Sequence, residues 1–181
     1  MPIGRMRAMD VVASDPGTAA PRTTRDPGLG RVEAIHLADA GSGPMRAVER
    51  VRAIAGVGLA GDRYATGTGH YSGDPKVDRQ ITLIEADEIE GLAARAAIEL
   101  APGETRRNVT TRGIRLNDLV GRRFRIGPVE CEATRLCEPC QYLTDLLGKP
   151  ILEPLVHRAG LRARILTDGE IALGDEVVVL D

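Results

Sequence analysis

Short apolar segments that alternate with polar residues, separated by turns rich in Gly and Pro, fill most of the chain beyond residue 30. Alternation with a period of two is typical of β-strands that bury one face. The predicted strands span residues 31–38, 46–55, 80–84, 107–111, 122–126, 129–136, 162–166 and 176–180.

Helical periodicity is clear in one segment. Apolar residues recur there at positions i, i+3, i+4 and i+7, from Ile89 to Ala96, and predict an amphipathic helix over residues 86–98. Two shorter helical stretches are predicted over residues 141–147 and 152–158. A parallel sheet would need several more crossover helices. The pattern therefore predicts a mainly β protein, a closed β-barrel with a few short helices.

The first 29 residues contain four prolines and no sustained periodicity. We expect them to form a flexible N-terminal tail, because such a segment has too little apolar surface to offset its ordering entropy. Residues 30–181 then form a single β-barrel domain, in keeping with a chain of 181 residues.

A long Gly-rich loop is predicted over residues 56–78. Loops longer than about 12–15 residues within a compact domain are usually functional or disordered. This loop carries Asp62, Arg63, His70 and Tyr71, which favours a functional role. Its glycines do not form a nucleotide-binding motif, because more loop follows where a helix is required.

The composition of the chain limits the kinds of molecule that we expect it to bind and the compartment in which we expect it. Aromatic residues are 2% of the chain and the net charge is −2, so a nucleic-acid partner is not expected. The chain has no apolar run long enough for a membrane helix, and its first residues lack a secretory signal. Three cysteines within ten residues fit a reducing compartment. We therefore expect a cytoplasmic protein without a membrane partner.

Arg106, Arg107 and Asn108 stand together at the start of a predicted strand. Strand side chains alternate between faces, so Arg106 and Asn108 share one face and Arg107 takes the other. Arginine with asparagine is suited to an anionic ligand such as a phosphate. The alternative is a surface strand with solvated charges.

A Cys-x-x-Cys motif joins Cys137 and Cys140 through Glu138 and Pro139. Tetrahedral zinc needs four ligands, and Cys131 is the only further thiol. The context of a thioredoxin-like redox pair is also absent. Cys140 lies at the predicted first turn of a helix, where thiolate is favoured, although a free cysteine often behaves as a small buried hydrophobe. Cys131, in the middle of a predicted strand, fits the description of a small buried hydrophobe.

Six motifs, taken in order, resemble the MOSC domain, the C-terminal module of eukaryotic molybdenum cofactor sulfurase and of stand-alone bacterial relatives. Each motif is weak alone, but six in family order over about 120 residues are specific together. They are GDRY (61–64), RQITLI (79–84), RRNVTTRGI (106–114), LVGRRFRIG (119–127), EPC (138–140) and GEIALGDEV (169–177).

The resemblance implies a β-barrel like the small barrel domain of pyruvate kinase, and binding of molybdenum cofactor in its molybdopterin form. It implies that Cys140 holds sulfur as a persulfide or ligates molybdenum, a role that suits a soft thiolate. The implied cofactor-binding residues are Asp62, Arg63, Arg79, Gln80, Arg106, Arg107 and Asn108.

The resemblance leaves three functions open. The chain could carry sulfur received from a cysteine desulfurase to a metal–sulfur cofactor, reduce N-hydroxylated substrates at a molybdenum ligated by Cys140, or bind cofactor without turnover. A molybdoenzyme or an electron donor is the further partner that these functions imply. A pyridoxal-phosphate desulfurase domain does not fit within 181 residues, so pyridoxal phosphate is expected only in a partner. Whether the chain is an enzyme stays open, and Cys137 receives no role.

Overall fold

The computed structural model describes residues 29–73 and 77–181, and a mainly β architecture dominates them. The strands are β1 (Leu29–Leu37), β2 (Arg46–Val48), β3 (Arg50–Ile54), β4 (Gly58–Leu59), β5 (Ile81–Glu85), β6 (Val109–Arg112), β7 (Arg123–Ile126), β8 (Val129–Leu136), β9 (Leu161–Ile165), β10 (Gly169–Ala172) and β11 (Glu176–Val179). The α-helices are α1 (Ala86–Ala96) and α2 (Gln141–Leu147), and 3₁₀ turns span Val77–Arg79, Leu116–Leu119 and Glu153–Leu155.

Seven strands close into a barrel in the order β1-β11-β7-β8-β9-β5-β6, with β6 returning to β1. All neighbours are antiparallel except β5 and β6, which are parallel and are joined by α1 as their crossover. Strand β2 extends the sheet beside β1, and a separate small sheet has the order β10-β3-β4. The predicted closed β-barrel is therefore confirmed.

The barrel interior holds the main hydrophobic core. Alternate residues of each strand point inward, so that Phe124 and Ile126 of β7 are buried while Arg123 is exposed. A second core lies between α1 and the segment around α2, and it contains Ile84, Leu92, Leu143, Ile151 and Leu155. This second core fixes α2 against the outside of the barrel.

Two predicted strands differ from the observed ones. The predicted strand 46–55 is split at Glu49, because β2 pairs with β1 whereas β3 pairs with β4 and β10 in the other sheet. The predicted strand 107–111 begins only at Val109. Arg106 has a φ of 59°, a left-handed conformation that places it in the preceding loop.

The predicted helix 152–158 is wrong beyond one 3₁₀ turn, Glu153–Leu155. The chain leaves helical geometry at Val156 (ψ 127°), and His157 has a left-handed φ of 58°. The predicted helix 86–98 ends earlier, at Ala96, because Ala97 adopts a left-handed C-cap with φ 55°.

The predicted tail, residues 1–29, lies outside the described residues apart from Leu29, which begins β1. Across the two described ranges, none of the helices has the length and apolar character needed to span a membrane.

Candidate functional site

A cleft forms where the Gly-rich loop, the segment before β6 and the segment between β8 and α2 meet. It contains about 520 Å³ of space free of protein atoms, including the part open to solvent. Strands of the barrel contribute Thr82 and Arg162, which are paired across β5 and β9. The lining is rich in ionisable and aromatic groups: Arg63, Arg79, Arg106, Arg107, Arg162, Tyr64, Tyr71, Tyr142, His70, Cys137, Glu138 and Cys140.

Cys140 lies at the cleft wall, half-buried, at the N-cap of α2. The Tyr71 hydroxyl donates a hydrogen bond to its Sγ over 3.7 Å. Burial raises the pKa of Tyr71, and the hydrogen bond to Cys140 adds to this effect. Tyr71 therefore keeps its proton near neutral pH and offers it to the sulfur.

The other two cysteines occupy different environments. Cys137 also lines the cleft, although only 3% of it is exposed. Cys131 lies inside the barrel core, where burial, with a smaller contribution from Glu130, raises its pKa to about 12. Cys137 and Cys140 are therefore the thiols available to cleft chemistry, and Cys131 is the buried small hydrophobe that its strand position predicted.

Aromatic rings form one side of the cleft. The His70 ring stacks on Tyr142 with centroids 3.9 Å apart and planes 12° apart, and Tyr71 meets His70 edge-on at 4.6 Å. The Tyr142 hydroxyl donates to the Gly41 carbonyl over 2.7 Å, which fixes the stack to the loop after β1. All three tyrosines of the chain lie in this cleft.

Arg106 and Arg107 both line the cleft, whereas strand alternation predicted only one of them. The prediction fails because neither residue belongs to β6. Arg106 donates to the carbonyls of Gly41 (2.6 Å) and Gly43 (2.7 Å). Burial lowers the pKa of Arg106, and the nearby Arg63 guanidinium lowers it further.

Arg107 reaches in another direction, toward the end of β8. Its Nε donates to the Ala159 carbonyl (2.7 Å) and its Nη2 to the Cys137 carbonyl (2.9 Å). Arg107 thus ties the Cys137 main chain to the segment before β9.

Asn108 lies behind the cleft and is fully buried. Its Oδ1 accepts hydrogen bonds from the Thr82 main chain (3.2 Å) and hydroxyl (2.9 Å), and its Nδ2 donates to the His36 carbonyl (3.2 Å) and to Asp62 Oδ1 (3.1 Å). These four bonds use the whole capacity of the amide. Asp62, 1% exposed, also accepts from the Ala38 main chain (3.2 Å).

The remaining predicted site residues also divide between the cleft lining and the layer behind it. Arg63 donates to the Arg106 carbonyl (2.9 Å), and Arg79 donates to the Tyr71 carbonyl (2.7 Å); both line the cleft. Gln80 is buried away from it and accepts from the Ile165 main chain (2.7 Å). The structure therefore brings Cys140 together with Arg63, Arg79, Arg106 and Arg107, and places Asp62, Gln80 and Asn108 in the supporting layer.

Sequence reasoning missed Arg162, Cys137 and the ring of Tyr142 as cleft residues. Burial on its own would lower the pKa of Arg162, but the nearby Cys137 sulfur raises it. No motif marked Arg162, because it lies within an ordinary alternating strand. His70 and Tyr71 did carry a signal, since both belong to the long loop whose length and residues indicated function.

Comparison with known proteins shows the family to which the chain belongs. The family model of the MOSC domain matches residues 35–178, so the chain belongs to the MOSC domain family, generally a family of molybdenum cofactor-binding domains. A search of the curated proteins finds no significant match.

Three solved structures show the same fold. The YuaD protein from Bacillus subtilis is 17% identical with a TM-score of 0.71, over 83% of this chain and 95% of that chain. YiiM from Geobacillus stearothermophilus is 16% identical with a TM-score of 0.65, over 84% and 75%. YiiM from Escherichia coli is 16% identical with a TM-score of 0.61, over 83% and 70%.

Proposed function

We propose that the cleft binds molybdenum cofactor in its molybdopterin form and that Cys140 carries sulfur for that cofactor. The observation that supports this most directly is the position of Cys140: its thiol lines a cleft surrounded by guanidinium groups and receives a hydrogen bond from Tyr71. A soft thiol next to several cations suits a ligand that combines a soft metal centre with anionic groups.

The donor set of the cleft fits the proposed group. Its phosphate and the polar edges of its pterin would be held by the arginines, of which Arg106 and Arg107 are positioned by main-chain carbonyls before any ligand arrives. Such preorganisation lowers the entropic cost of binding. The Nε of Arg162, also in the lining, has no hydrogen-bond acceptor among the described residues. The bound cofactor supplies a soft metal site that Cys140 can ligate.

The sulfur-carrying step needs only a thiolate and a persulfide donor, such as the active cysteine of a separate desulfurase. The Cys140 thiolate attacks the outer sulfur of the donor persulfide. The donor S–S bond breaks, its inner sulfur leaves as a thiolate, and a new S–S bond forms on Cys140. The transferred sulfur keeps its oxidation level, so no further electron donor or acceptor is required.

A direct test compares Cys140→Ser with Cys131→Ala, both isolated from a host that makes molybdenum cofactor. We expect Cys140→Ser to lose bound sulfane sulfur and to retain little molybdenum, since a hydroxyl is a poor soft ligand. Cys131→Ala removes a thiol that lies in the barrel core, away from the cleft, and keeps both.

Elemental analysis and intact mass measure these quantities. Sulfane sulfur on Cys140 without stoichiometric molybdenum supports a carrier. Stoichiometric molybdenum that depends on Cys140, with no sulfane sulfur, supports instead a cofactor-ligating reductase or binding module. Equal sulfur and molybdenum contents in Cys140→Ser and in the wild type would overturn the proposal.

A further inference from the structure

Cys137 is a nucleophilic group in the cleft that the proposed function does not use. It is buried to 97%, with 3% of its surface exposed, yet it belongs to the cleft lining together with Cys140. Its main chain is held on both sides: the N–H donates to the Gly160 carbonyl (2.8 Å), and the carbonyl accepts from Arg107 (2.9 Å). The position of this second thiol is therefore fixed by the fold.

Arg162 provides a cation for this thiol. Arg162 lies on the neighbouring strand β9 and lines the same cleft, and the Cys137 sulfur acts on its guanidinium to raise the pKa of Arg162. The Arg162 Nε is buried and has no acceptor in residues 29–73 and 77–181. A neutral thiol is a weak hydrogen-bond acceptor and gives this guanidinium no strong partner. An anionic sulfur at Cys137 would satisfy it better.

The two thiols differ in how a donor can reach them. Cys140 is half-buried at the cleft wall, whereas Cys137 is almost fully enclosed. A large sulfur donor can therefore approach Cys140 but not Cys137. Sulfur placed on Cys140 extends that side chain within the cleft that Cys137 also lines.

We propose that Cys137 and Arg162 form a second sulfur position, which receives the outer sulfur from a Cys140 persulfide and holds it as a persulfide anion. The inference rests on the proposed persulfide at Cys140. In this step the Cys137 thiolate attacks the outer sulfur, the Cys140 S–S bond breaks, and Cys140 leaves as a thiolate. One S–S bond forms as one breaks, so the exchange consumes no oxidant or reductant. Arg162 stabilises the negative charge that arrives on Cys137.

The exchange can be followed with a small persulfide donor, cysteine persulfide, supplied in equimolar amount to the reduced full-length chain. Samples taken over time are quenched in denaturant with excess alkylating agent, so that buried thiols also react. Peptide mass spectrometry then gives the persulfide content of each cysteine. Cys131, enclosed in the barrel core, serves as an internal control that is expected to stay unmodified.

In the wild type we expect persulfide on Cys140 first and on Cys137 later. Cys140→Ser should remove the persulfide from Cys137 as well, and Cys137→Ser should leave it on Cys140. Arg162→Gln should reduce the Cys137 share by about tenfold, the value of one lost hydrogen bond to a charged group. Arg162→Lys should restore part of it, and Arg164→Gln, an exposed position on the same strand, should change nothing.

The outcomes separate the two proposals. A wild type in which Cys140 carries persulfide and Cys137 never does would overturn the second sulfur position and leave the sulfur-carrying role of Cys140 intact. Equally fast labelling of Cys137 in Cys140→Ser would also overturn it, since the sulfur would then not pass through Cys140. A Cys140 that takes up no sulfur would overturn both.

Discussion

Replacing Asn108 by alanine tests whether this residue holds the fold together or contacts a ligand. The side chain is fully buried, and its amide joins Thr82 on β5, the His36 carbonyl on β1 and Asp62 in the Gly-rich loop. Alanine removes all four hydrogen bonds while the groups that made them stay buried. Because the bonds connect three separate segments, we expect the loss to destabilise the folded chain.

The magnitude follows from the groups left without a partner. Asp62 keeps its bonds from Ala38 and Arg63, and the Thr82 hydroxyl still accepts from the Asn108 main chain. The Thr82 N–H and the His36 carbonyl each lose a side-chain partner. At about 1–3 kcal/mol for each buried group, the free energy of unfolding should fall by about 2–6 kcal/mol. For a chain of this size that corresponds to a decrease in Tm of about 5–20 °C.

Thermal unfolding followed by circular dichroism measures the change. Asn117→Ala is a matched control, because that amide makes one exposed bond to the His157 carbonyl and should cost less than about 1 kcal/mol. An Asn108→Ala chain that melts within about 2 °C of the wild type but binds cofactor poorly would refute this reasoning. Asn108 would then be a ligand contact, as its motif implied.

Two further predictions concern stability. Gly160→Ala should unfold the chain or lower the free energy of unfolding by more than about 4 kcal/mol, because its Cβ would lie 1.9 Å from the Leu83 carbonyl at a φ of +102°. The control Gly148→Ala, with open space around it, should lower the free energy of unfolding by only about 1 kcal/mol. Equal Tm values for the two variants would contradict the clash. Burial lowers the pKa of His36, so the neutral ring is favoured in the folded chain and its contribution is complete above the unfolded value of about 6.5. Below that value protonation favours the unfolded chain, and denaturant unfolding between about pH 7.5 and pH 5 should show a larger loss of stability in the wild type than in His36→Gln; equal losses would show that His36 does not contribute.

The barrel was predictable from the sequence because its signal is local. Alternating apolar residues mark most strands directly, and the helical period of residues 86–98 marks α1. Strands β4 and β10 escaped prediction, and β4, with two residues, is too short to show any periodicity. The division of residues 46–55 into β2 and β3 depends on pairing with distant strands, which a local pattern does not contain.

The candidate site was predictable only in part. The thiol of Cys140 was singled out together with Arg63, Arg79, Arg106 and Arg107, and the structure collects these five residues at one cleft. The roles of Asp62 and Asn108 could not be predicted in this way, because the burial of a polar side chain determines whether it contacts a ligand or stabilises the fold. That burial arises when the Gly-rich loop packs against Ala38, just after β1, and against Asn108, just before β6, which are contacts between segments far apart in sequence.

Arginine side chains show most clearly why such a site is hard to derive from sequence. Arg106 and Arg107 are positioned by main-chain carbonyls, acceptors that every residue possesses and that leave no mark in the sequence. Arg162 differs, because it lies in the cleft with the sulfur of Cys137, which raises the pKa of its guanidinium. An arginine that is hydrogen-bonded to main-chain carbonyls shapes the cleft wall and contributes positive charge to it. An arginine that lies beside a thiol gains a stronger hydrogen-bond acceptor when that sulfur becomes charged. The chemistry of this cleft should therefore respond more to Arg162 than to the arginines of the family motif.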